Sequence, residues 1–217
     1  MKKRIAFYGG TFDPVHCGHI MVAKRLLSLF RLDEFVFLPA FHAPHKADKK
    51  PTSAYHRFAM LALATAGEPR ISISTLELDR AEKRYTVDTL PELIERHPDT
   101  DLFFVMGADS WTDILTWREW EKVLLMTNHI VVTRPGYEIE FEHVSEAVRS
   151  RIVDLRNSDD LPHKTSATPS IFITDAVSQD VSATGIRDDI REDDKLDRVS
   201  DVPLEVAKYI EKYELYR

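Results

Sequence analysis

The sequence predicts an α/β fold, with a mainly parallel sheet that is covered by helices on both faces. Short apolar runs rich in β-branched and aromatic residues alternate with helix-periodic segments along most of the 217 residues. The first apolar run ends in two glycines and leads directly into a helical pattern. Hydrophobic residues make up 43% of the chain and charged residues 30%, as in ordinary globular proteins. A chain of this size is expected to form one domain, 1–217, with a C-terminal helical portion from about 184 to 217.

The regular alternation identifies each element in order. Six short apolar runs are predicted to be strands, at residues 4–8, 34–38, 71–75, 102–106, 130–133 and 170–174. Seven segments with apolar residues three and four positions apart are predicted to be helices, at residues 18–30, 53–66, 87–96, 110–126, 144–155, 184–192 and 204–213. The polar residues 156–169 are predicted to form a loop before the last strand.

Charge, hydropathy and cysteine content limit the classes of partner. The formal net charge of −7 argues against nucleic acid as a partner. The apolar runs are shorter than a membrane span, and the stretch after the basic start is shorter than a signal peptide requires, so no membrane partner is expected. The single cysteine, Cys17, excludes an internal disulfide and suits a reducing compartment, so a cytoplasmic location is expected. The sequence leaves a homo-oligomer open.

The turn after the first predicted strand carries the most informative motif. Residues 8–20 read YGGTFDPVHCGHI, which places His16 and His19 around Gly18 at a helix start. Glycines let a backbone approach a phosphate, and the N–H groups and positive dipole end of the helix attract it. The two imidazoles add donors for charge that develops on the phosphate. The alternative is an ordinary turn, in which the histidines cap the helix or lie on the surface.

A second glycine turn follows the fourth predicted strand, where residues 107–110 read GADS. In an open parallel sheet, ligands bind beyond the carboxyl ends of the strands, where the winding direction reverses. If the first and fourth strands are neighbours at that point, the histidine loop and Asp109 face one crevice. The carboxylate can then accept hydrogen bonds from ribose hydroxyls, and the fold is a doubly wound, Rossmann-like sheet. The alternative is that Asp109 or Ser110 only caps the following helix.

A further phosphate site is predicted after the last strand. Residues 181–187 read VSATGIR and open a short helix, with Ser182 or Thr184 as the expected N-cap and Arg187 one turn into the helix. Hydroxyls, helix N–H groups and a guanidinium together suit the two outer phosphates of ATP. The alternative is a capped surface helix.

Together, residues 8–20 and 181–187 resemble the two signatures of the nucleotidylyltransferase superfamily, whose members join a nucleoside triphosphate to a phosphate monoester and release pyrophosphate. Four further segments are similar to bacterial nicotinate-nucleotide adenylyltransferases: PHK at 44–46, YTVDTL at 85–90, WREWE at 117–121 and VVTRPG at 131–136. The resemblance covers nearly the whole chain. It implies transfer of the adenylyl group of ATP to nicotinate mononucleotide, which gives deamido-NAD in NAD biosynthesis, with Mg²⁺ arriving with ATP. The chain departs from the family pattern at residues 40–43, at Arg118, where an aromatic residue is commoner, and at Ala183, where a hydroxyl is usual.

The resemblance also implies roles for single residues. His16 and His19 would contact the ATP phosphates and stabilise the transition state. Residues of all three motifs would bind ATP: Gly9, Gly10, Thr11, Phe12, Gly18, Gly107, Asp109, Ser182, Thr184, Ile186 and Arg187. On the acceptor side would be His45, Lys46, Thr86, Trp117 and Arg134. Within that group, Trp117 would stack on the pyridine ring, the Thr86 amide would receive the nicotinate carboxylate, and Arg134 would hold the mononucleotide phosphate. No dedicated protein metal site is implied.

Purely structural roles of single residues, and other functions of the chain, stay open at this point. Taken singly, Trp117 could equally be a core residue, Lys46 a solvated loop lysine and Arg134 a turn residue. An adenylyltransferase for another acceptor, above all nicotinamide mononucleotide, would carry the same phosphate motifs. A non-catalytic ATP or NAD sensor is disfavoured because both histidines and both phosphate motifs are present. A class I aminoacyl-tRNA synthetase has a similar histidine signature, but this chain is short for an anticodon-binding domain and has the wrong charge for tRNA.

Overall fold

The structure is a computed structural model that describes residues 2–41, 51–80, 82–133, 139–156, 168–175, 181–193 and 201–217. Its strands are β1 (Lys3–Gly10), β2 (Glu34–Pro39), β3 (Ile71–Ile73), β4 (Thr100–Gly107), β5 (Asn128–Val132), β6 (Ile152–Asp154) and β7 (Ile171–Thr174). These form one sheet in the order β3-β2-β1-β4-β5-β7-β6, and every neighbouring pair is parallel. The prediction of a doubly wound α/β fold is confirmed.

Helices connect the strands and lie on both faces of the sheet. They are α1 (Cys17–Leu29), α2 (Ala54–Thr65), α3 (Thr86–Arg96), α4 (Ala108–Thr112), α5 (Trp120–Met126), α6 (Glu146–Arg149), α7 (Ala183–Asp193) and α8 (Leu204–Lys212), with a short 3-10 turn at Ile114–Thr116. In the part of the chain that the structure describes, none of the helices is both long and apolar enough to cross a membrane.

The core has two halves because alternate side chains of a strand point to opposite faces of a sheet. In β1, Ala6 and Tyr8 pack with α1, α2, α7 and α8, whereas Ile5 and Phe7 pack with α3, α4, α5 and α6. β1 lies between β2 and β4, so the winding direction reverses beside it. This reversal places the end of β1 at the edge where ligands of such sheets bind. That the chain is a single domain with a C-terminal helical portion stays a prediction.

Two helix predictions are wrong. The segment 110–126 is broken into α4, the 3-10 turn and α5, and Glu119 interrupts it with a left-handed φ of 49°. The segment 144–155 contains only the four-residue α6 and then β6, where Ile152 and Val153 pair with Ile171 and Phe172 of β7. β-branched side chains favour a strand, and pairing with β7 overrides the helical spacing of the sequence.

Candidate active site

The turn between β1 and α1 places two imidazole rings against each other. His16 is the N-cap residue of α1 and its side chain is buried, with 3% of its surface exposed. The ring centroid of His19, one turn into the helix, lies 3.7 Å from that of His16, with 33° between the planes. Because the rings stand at the positive end of the helix dipole, an anionic ligand is favoured at this position.

His19 uses its two ring nitrogens differently. Its Nδ1 accepts a hydrogen bond from the backbone N–H of His16 at 3.2 Å. In the neutral ring, the proton therefore resides on Nε2, which is a donor. The rings of Phe12 and Tyr8 hold the imidazole in place, with centroids 5.0 and 5.9 Å from its own. Helix capping and phosphate binding, which the sequence offers as alternatives, are thus compatible in one residue.

Close packing against aromatic rings explains Gly9 and Gly10. A β-carbon on Gly9 would lie 2.8 Å from Cζ of Phe104, and one on Gly10 would lie 2.7 Å from Cζ of Phe12. Phe12 has a left-handed φ of 51° and is 3% exposed, so its ring lies in the core beneath His19. Phe12 would therefore contribute to an ATP site by supporting the histidine rather than by touching the nucleotide.

The second phosphate motif forms the start of α7. Ser182 is its N-cap residue, and its Oγ accepts a hydrogen bond from the backbone N–H of Gly185 at 3.0 Å. Thr184 lies inside the helix, where its Oγ1 accepts a hydrogen bond from Nη2 of Arg187 at 3.1 Å. Ile186 is 6% exposed and faces the core. Of the two expected capping residues, the structure therefore selects Ser182.

The two phosphate motifs meet in space. Nη1 of Arg187 donates a hydrogen bond to the backbone carbonyl of Asp13 at 2.6 Å, although the two residues are 174 positions apart. A β-carbon on Gly18 would lie 3.0 Å from Nδ1 of His16 and 3.9 Å from Cβ of Val181. The N-terminal ends of α1 and α7 therefore border the same space, which is what a shared polyphosphate site requires.

The turn after β4 lies at the same edge of the sheet. Tyr8 of β1 pairs with Val105 of β4, and Gly10 and Gly107 end their strands two residues further on. Gly107 is the N-cap residue of α4, so neither Asp109 nor Ser110 occupies that position. The side chain of Asp109 bends back toward Gly107. Its Oδ1 lies so close that a β-carbon on Gly107 would be only 2.6 Å away.

Two of the predicted acceptor residues lie on segments that contact each other. Thr86 is the first residue of α3, where backbone N–H groups have no acceptor within the helix. Trp117 and Tyr85, the N-cap residue of α3, pack against the same half of the core. The guanidinium carbon of Arg118 lies 5.4 Å from the Tyr85 ring centroid. The segment of Trp117 therefore lies over the start of α3.

Comparison with known proteins shows the family. The family described as cytidylyltransferase-like matches residues 7–189. A probable nicotinate-nucleotide adenylyltransferase of Mycobacterium sp. strain KMS is 42% identical over 154 residues, which cover 71% of this chain and 76% of the relative. One of Corynebacterium glutamicum is 34% identical over 216 residues, which cover 100% of this chain and 89% of the relative. The chain belongs to the cytidylyltransferase-like family, among its nicotinate-nucleotide adenylyltransferases.

Solved structures with the same fold come from this group of adenylyltransferases. Plasmodium falciparum nicotinic acid mononucleotide adenylyltransferase complexed with NaAD aligns with a TM-score of 0.77 and 23% identity, over 99% of this chain and 97% of the other. The same Plasmodium enzyme complexed with APC aligns with a TM-score of 0.75 and 24% identity, over 99% and 97%. At this identity, the likeness supports the fold.

Three predicted site residues, His45, Lys46 and Arg134, lie outside the described residues. Residues that the sequence motifs do not include also hold the turn after β1. Arg57 of α2 is completely buried, and its guanidinium donates hydrogen bonds to three backbone carbonyls: Nη1 to Thr11 at 2.7 Å, Nε to Thr52 at 2.9 Å and Nη2 to Phe41 at 3.0 Å. The helical spacing does place Arg57 on the buried stripe of α2, with Met60, Leu61 and Thr65. A charged residue at such a position indicates a buried partner.

Asp13 is a second residue that helps to hold this turn and that is not among the predicted site residues. Its side chain is 8% exposed, and its Oδ1 accepts a hydrogen bond from the Tyr216 hydroxyl at 2.7 Å. Its Oδ2 accepts a hydrogen bond from the backbone N–H of Thr52 at 3.0 Å. Tyr216 and Asp13 are 203 positions apart, so no local sequence pattern predicts their contact.

The described residues do not form a metal site from protein side chains alone. Among the described residues, no three His, Cys, Asp or Glu side chains come close enough to hold an ion.

Burial, and then the charge of Asp201, raise the pKa of the Cys17 thiol, so this cysteine is protonated at neutral pH. A cavity of about 280 Å³ lies at the amino ends of β4 and β5, on the opposite edge of the sheet from the motifs.

Proposed function

We propose that this chain transfers the adenylyl group of ATP to nicotinate mononucleotide, with deamido-NAD and pyrophosphate as products, in NAD biosynthesis. The observation that carries the proposal is the contact of Arg187 with Asp13, which joins the two phosphate motifs into one site. The curated relatives are named for this activity, and the match with one of them covers the whole chain.

The reaction needs charge stabilisation more than proton transfer. A phosphate oxygen of nicotinate mononucleotide attacks the α-phosphorus of ATP, and the bond from that phosphorus to the bridging oxygen of the β-phosphate breaks. Pyrophosphate leaves with the bond electrons. The attacking group is already an anion, so no general base is required. Catalysis then consists of positioning and of donors aimed at developing charge, which we assign to His16, His19 and Arg187.

Recognition of the acceptor is assigned to the residues over the start of α3. The Thr86 N–H, at the positive end of the α3 dipole, favours a carboxylate over a neutral carboxamide. Trp117 offers an aromatic face, which suits a pyridinium ring through stacking and cation–π attraction. His45 and Lys46 beside the reacting phosphates and Arg134 on the mononucleotide phosphate stay predictions.

Nucleotidyltransferases of this kind use a divalent metal ion. We propose that here the ion is Mg²⁺ and that it enters with ATP, bound mainly by phosphate oxygens and water. The side chains around the two motifs fit this arrangement, because His16, His19 and Arg187 are donors to phosphate rather than a set of oxygen ligands for a hard cation.

We also propose a cytoplasmic location. The single cysteine, Cys17, suits a reducing compartment.

The test compares pyrophosphate release from MgATP with nicotinate mononucleotide and with nicotinamide mononucleotide. We expect the wild type to prefer the acid, and His19→Ala to lose about 100-fold or more of its rate, as when one charge-stabilising donor is removed. Equal use of both acceptors would contradict the role of Thr86. Tight ATP binding without release would favour the sensor.

His19→Asn separates the two uses of this ring. The asparagine Oδ1 can still accept the hydrogen bond from the His16 N–H, but the Nε2 donor is lost. We expect the unfolding midpoint to stay near that of the wild type, with a rate as low as that of His19→Ala. An active His19→Asn variant would mean that His19 serves only as a helix cap.

A further inference from the structure

A buried aspartate, Asp13, lies in the middle of the first phosphate motif, where its negative charge is unfavourable for an anionic ligand. ATP carries several negative charges, and a carboxylate beside its phosphates would repel them. Asp13 is three residues before His16, and its own carbonyl receives a hydrogen bond from Arg187. The orientation of the Asp13 carboxylate therefore matters for the nucleotide site.

The carboxylate is held on both of its oxygens by groups outside the motif. Tyr216 donates to Oδ1 at 2.7 Å, and the backbone N–H of Thr52 donates to Oδ2 at 3.0 Å. Burial, together with the charge of Asp13, raises the pKa of the Tyr216 phenol, so it stays a donor over the whole physiological range. These two bonds satisfy the carboxylate without the help of Arg187.

The backbone is unusual at both ends of this contact. Tyr216 has a left-handed φ of 72°, and Phe12, next to Asp13, has a left-handed φ of 51°. Bulky residues rarely adopt this conformation, and it persists where surrounding contacts enforce it, often at functional sites. The ring of Tyr216 also packs against the half of the core that contains α1 and α8.

We propose that Tyr216 is a positioning residue that holds the Asp13 carboxylate away from Arg187 and from the ATP phosphates. This proposal rests on the proposed function, since it assigns the space between α1 and α7 to the triphosphate. Without the phenol, Oδ1 loses its donor in a buried place. The Arg57 guanidinium is already bonded to three backbone carbonyls. The Arg187 guanidinium already donates to the backbone carbonyl of Asp13, so it is a donor to which the carboxylate can turn. Pairing of Asp13 with Arg187 would then compete directly with the phosphates.

The first test is Tyr216→Phe, which removes only the hydroxyl. We expect the KM for ATP to rise about tenfold, as for the loss of roughly one charge-assisted contact. The KM for nicotinate mononucleotide should change less than about twofold, because that acceptor binds over α3. Tyr213→Phe is the matched control: Tyr213 lies on the same segment, is 46% exposed and packs against His56 and Tyr209.

The second test is rescue by removal of the charge. In the Tyr216→Phe background, Asp13→Asn keeps an oxygen for the Thr52 N–H but leaves no carboxylate to pair with Arg187. We expect this double variant to recover an ATP affinity within about threefold of the wild type. A merely structural hydroxyl would give no rescue, since the second substitution restores no lost contact. An unchanged KM for ATP in Tyr216→Phe, or failure of the rescue, would overturn the proposal.

Affinity for a non-hydrolysable ATP analogue, measured by titration calorimetry below the unfolding midpoint, keeps this test separate from the reaction. If the wild type binds the analogue but does not use nicotinate mononucleotide, the proposed function fails while the role of Tyr216 can still be decided. If Tyr216→Phe folds poorly, Asp13→Asn alone decides, because its amide can donate to the phenol oxygen. Analogue affinity within about threefold of the wild type supports the proposal, and a larger loss overturns it.

Discussion

Single residues in the phosphate motif serve two purposes at once. His19 closes the first turn of α1 through Nδ1 and keeps a donor on Nε2. Gly18 leaves room for the His16 ring on one side and for Val181 of the second motif on the other. The residue types of this motif indicate phosphate binding, because each type has its own chemistry, and their roles stay predictions. The sequence does not predict the stacking of the two histidines, which depends on the path of the turn.

The space beside Gly18 leads to a prediction. A β-carbon there would lie 3.0 Å from Nδ1 and 3.1 Å from Cε1 of His16, so Gly18→Ala should displace this ring by a few tenths of an ångström. We expect the rate of pyrophosphate release to fall about tenfold, since small misplacements of catalytic groups are costly. Gly67→Ala is the control, because no atom lies within 4 Å of the added carbon. Equal rates in the two variants would contradict the prediction.

At the scale of elements, α2 holds the turn that follows β1. Arg57 lies on the buried stripe of this helix, where the sequence pattern predicts an apolar residue, and there it binds the carbonyls of Thr11, Phe41 and Thr52. Helix periodicity identified α2 but could not show that its stripe would meet unpaired carbonyls. Likewise, periodicity could not show that Glu119 would break the segment 110–126, because a single left-handed residue leaves no periodic signal.

Loss of the Arg57 guanidinium should therefore cost stability as well as activity. Arg57→Met keeps an unbranched apolar side chain but leaves three carbonyls without their donor. We expect the free energy of unfolding in urea to fall by about 3 kcal/mol, as for loss of hydrogen bonds from a charged donor. Arg25→Met, at an exposed arginine of α1, should change it by less than about 0.5 kcal/mol. Similar losses in both variants would argue against a special role for Arg57.

For the whole molecule, the sheet buries a histidine that must stay neutral. His129 of β5 is 0% exposed, and its Nδ1 lies 2.9 Å from the carbonyl of Thr127. Burial lowers its pKa from 6.5 to about 4. The apolar pattern of the strands predicted the parallel sheet. It left open whether β1 and β4 are neighbours where the winding direction reverses, and the strand order shows that they are. The pattern does not predict β6, because its three residues gain strand structure only by pairing with β7.

The neutral state of His129 makes the fold sensitive to acid. The unfolded chain binds this proton near pH 6.5, whereas the folded chain binds it only near pH 4. The stability that depends on neutral His129 is fully present above pH 6.5. As the pH falls toward 4, the free energy of unfolding decreases by up to about 3 kcal/mol. Urea unfolding at several pH values should show this loss, and His129→Asn should flatten it. Parallel curves for the two proteins would contradict the prediction.

The contacts of Asp13 also set an order of events during synthesis. The histidine loop leaves the ribosome early, but its partners Arg187 and Tyr216 follow 174 and 203 residues later. A growing chain can therefore form β1, β2 and α1 long before it can complete the site that we propose for the triphosphate. Nascent and prematurely ended chains should neither consume ATP nor retain it, so a cell would not lose nucleotide to unfinished copies of this enzyme.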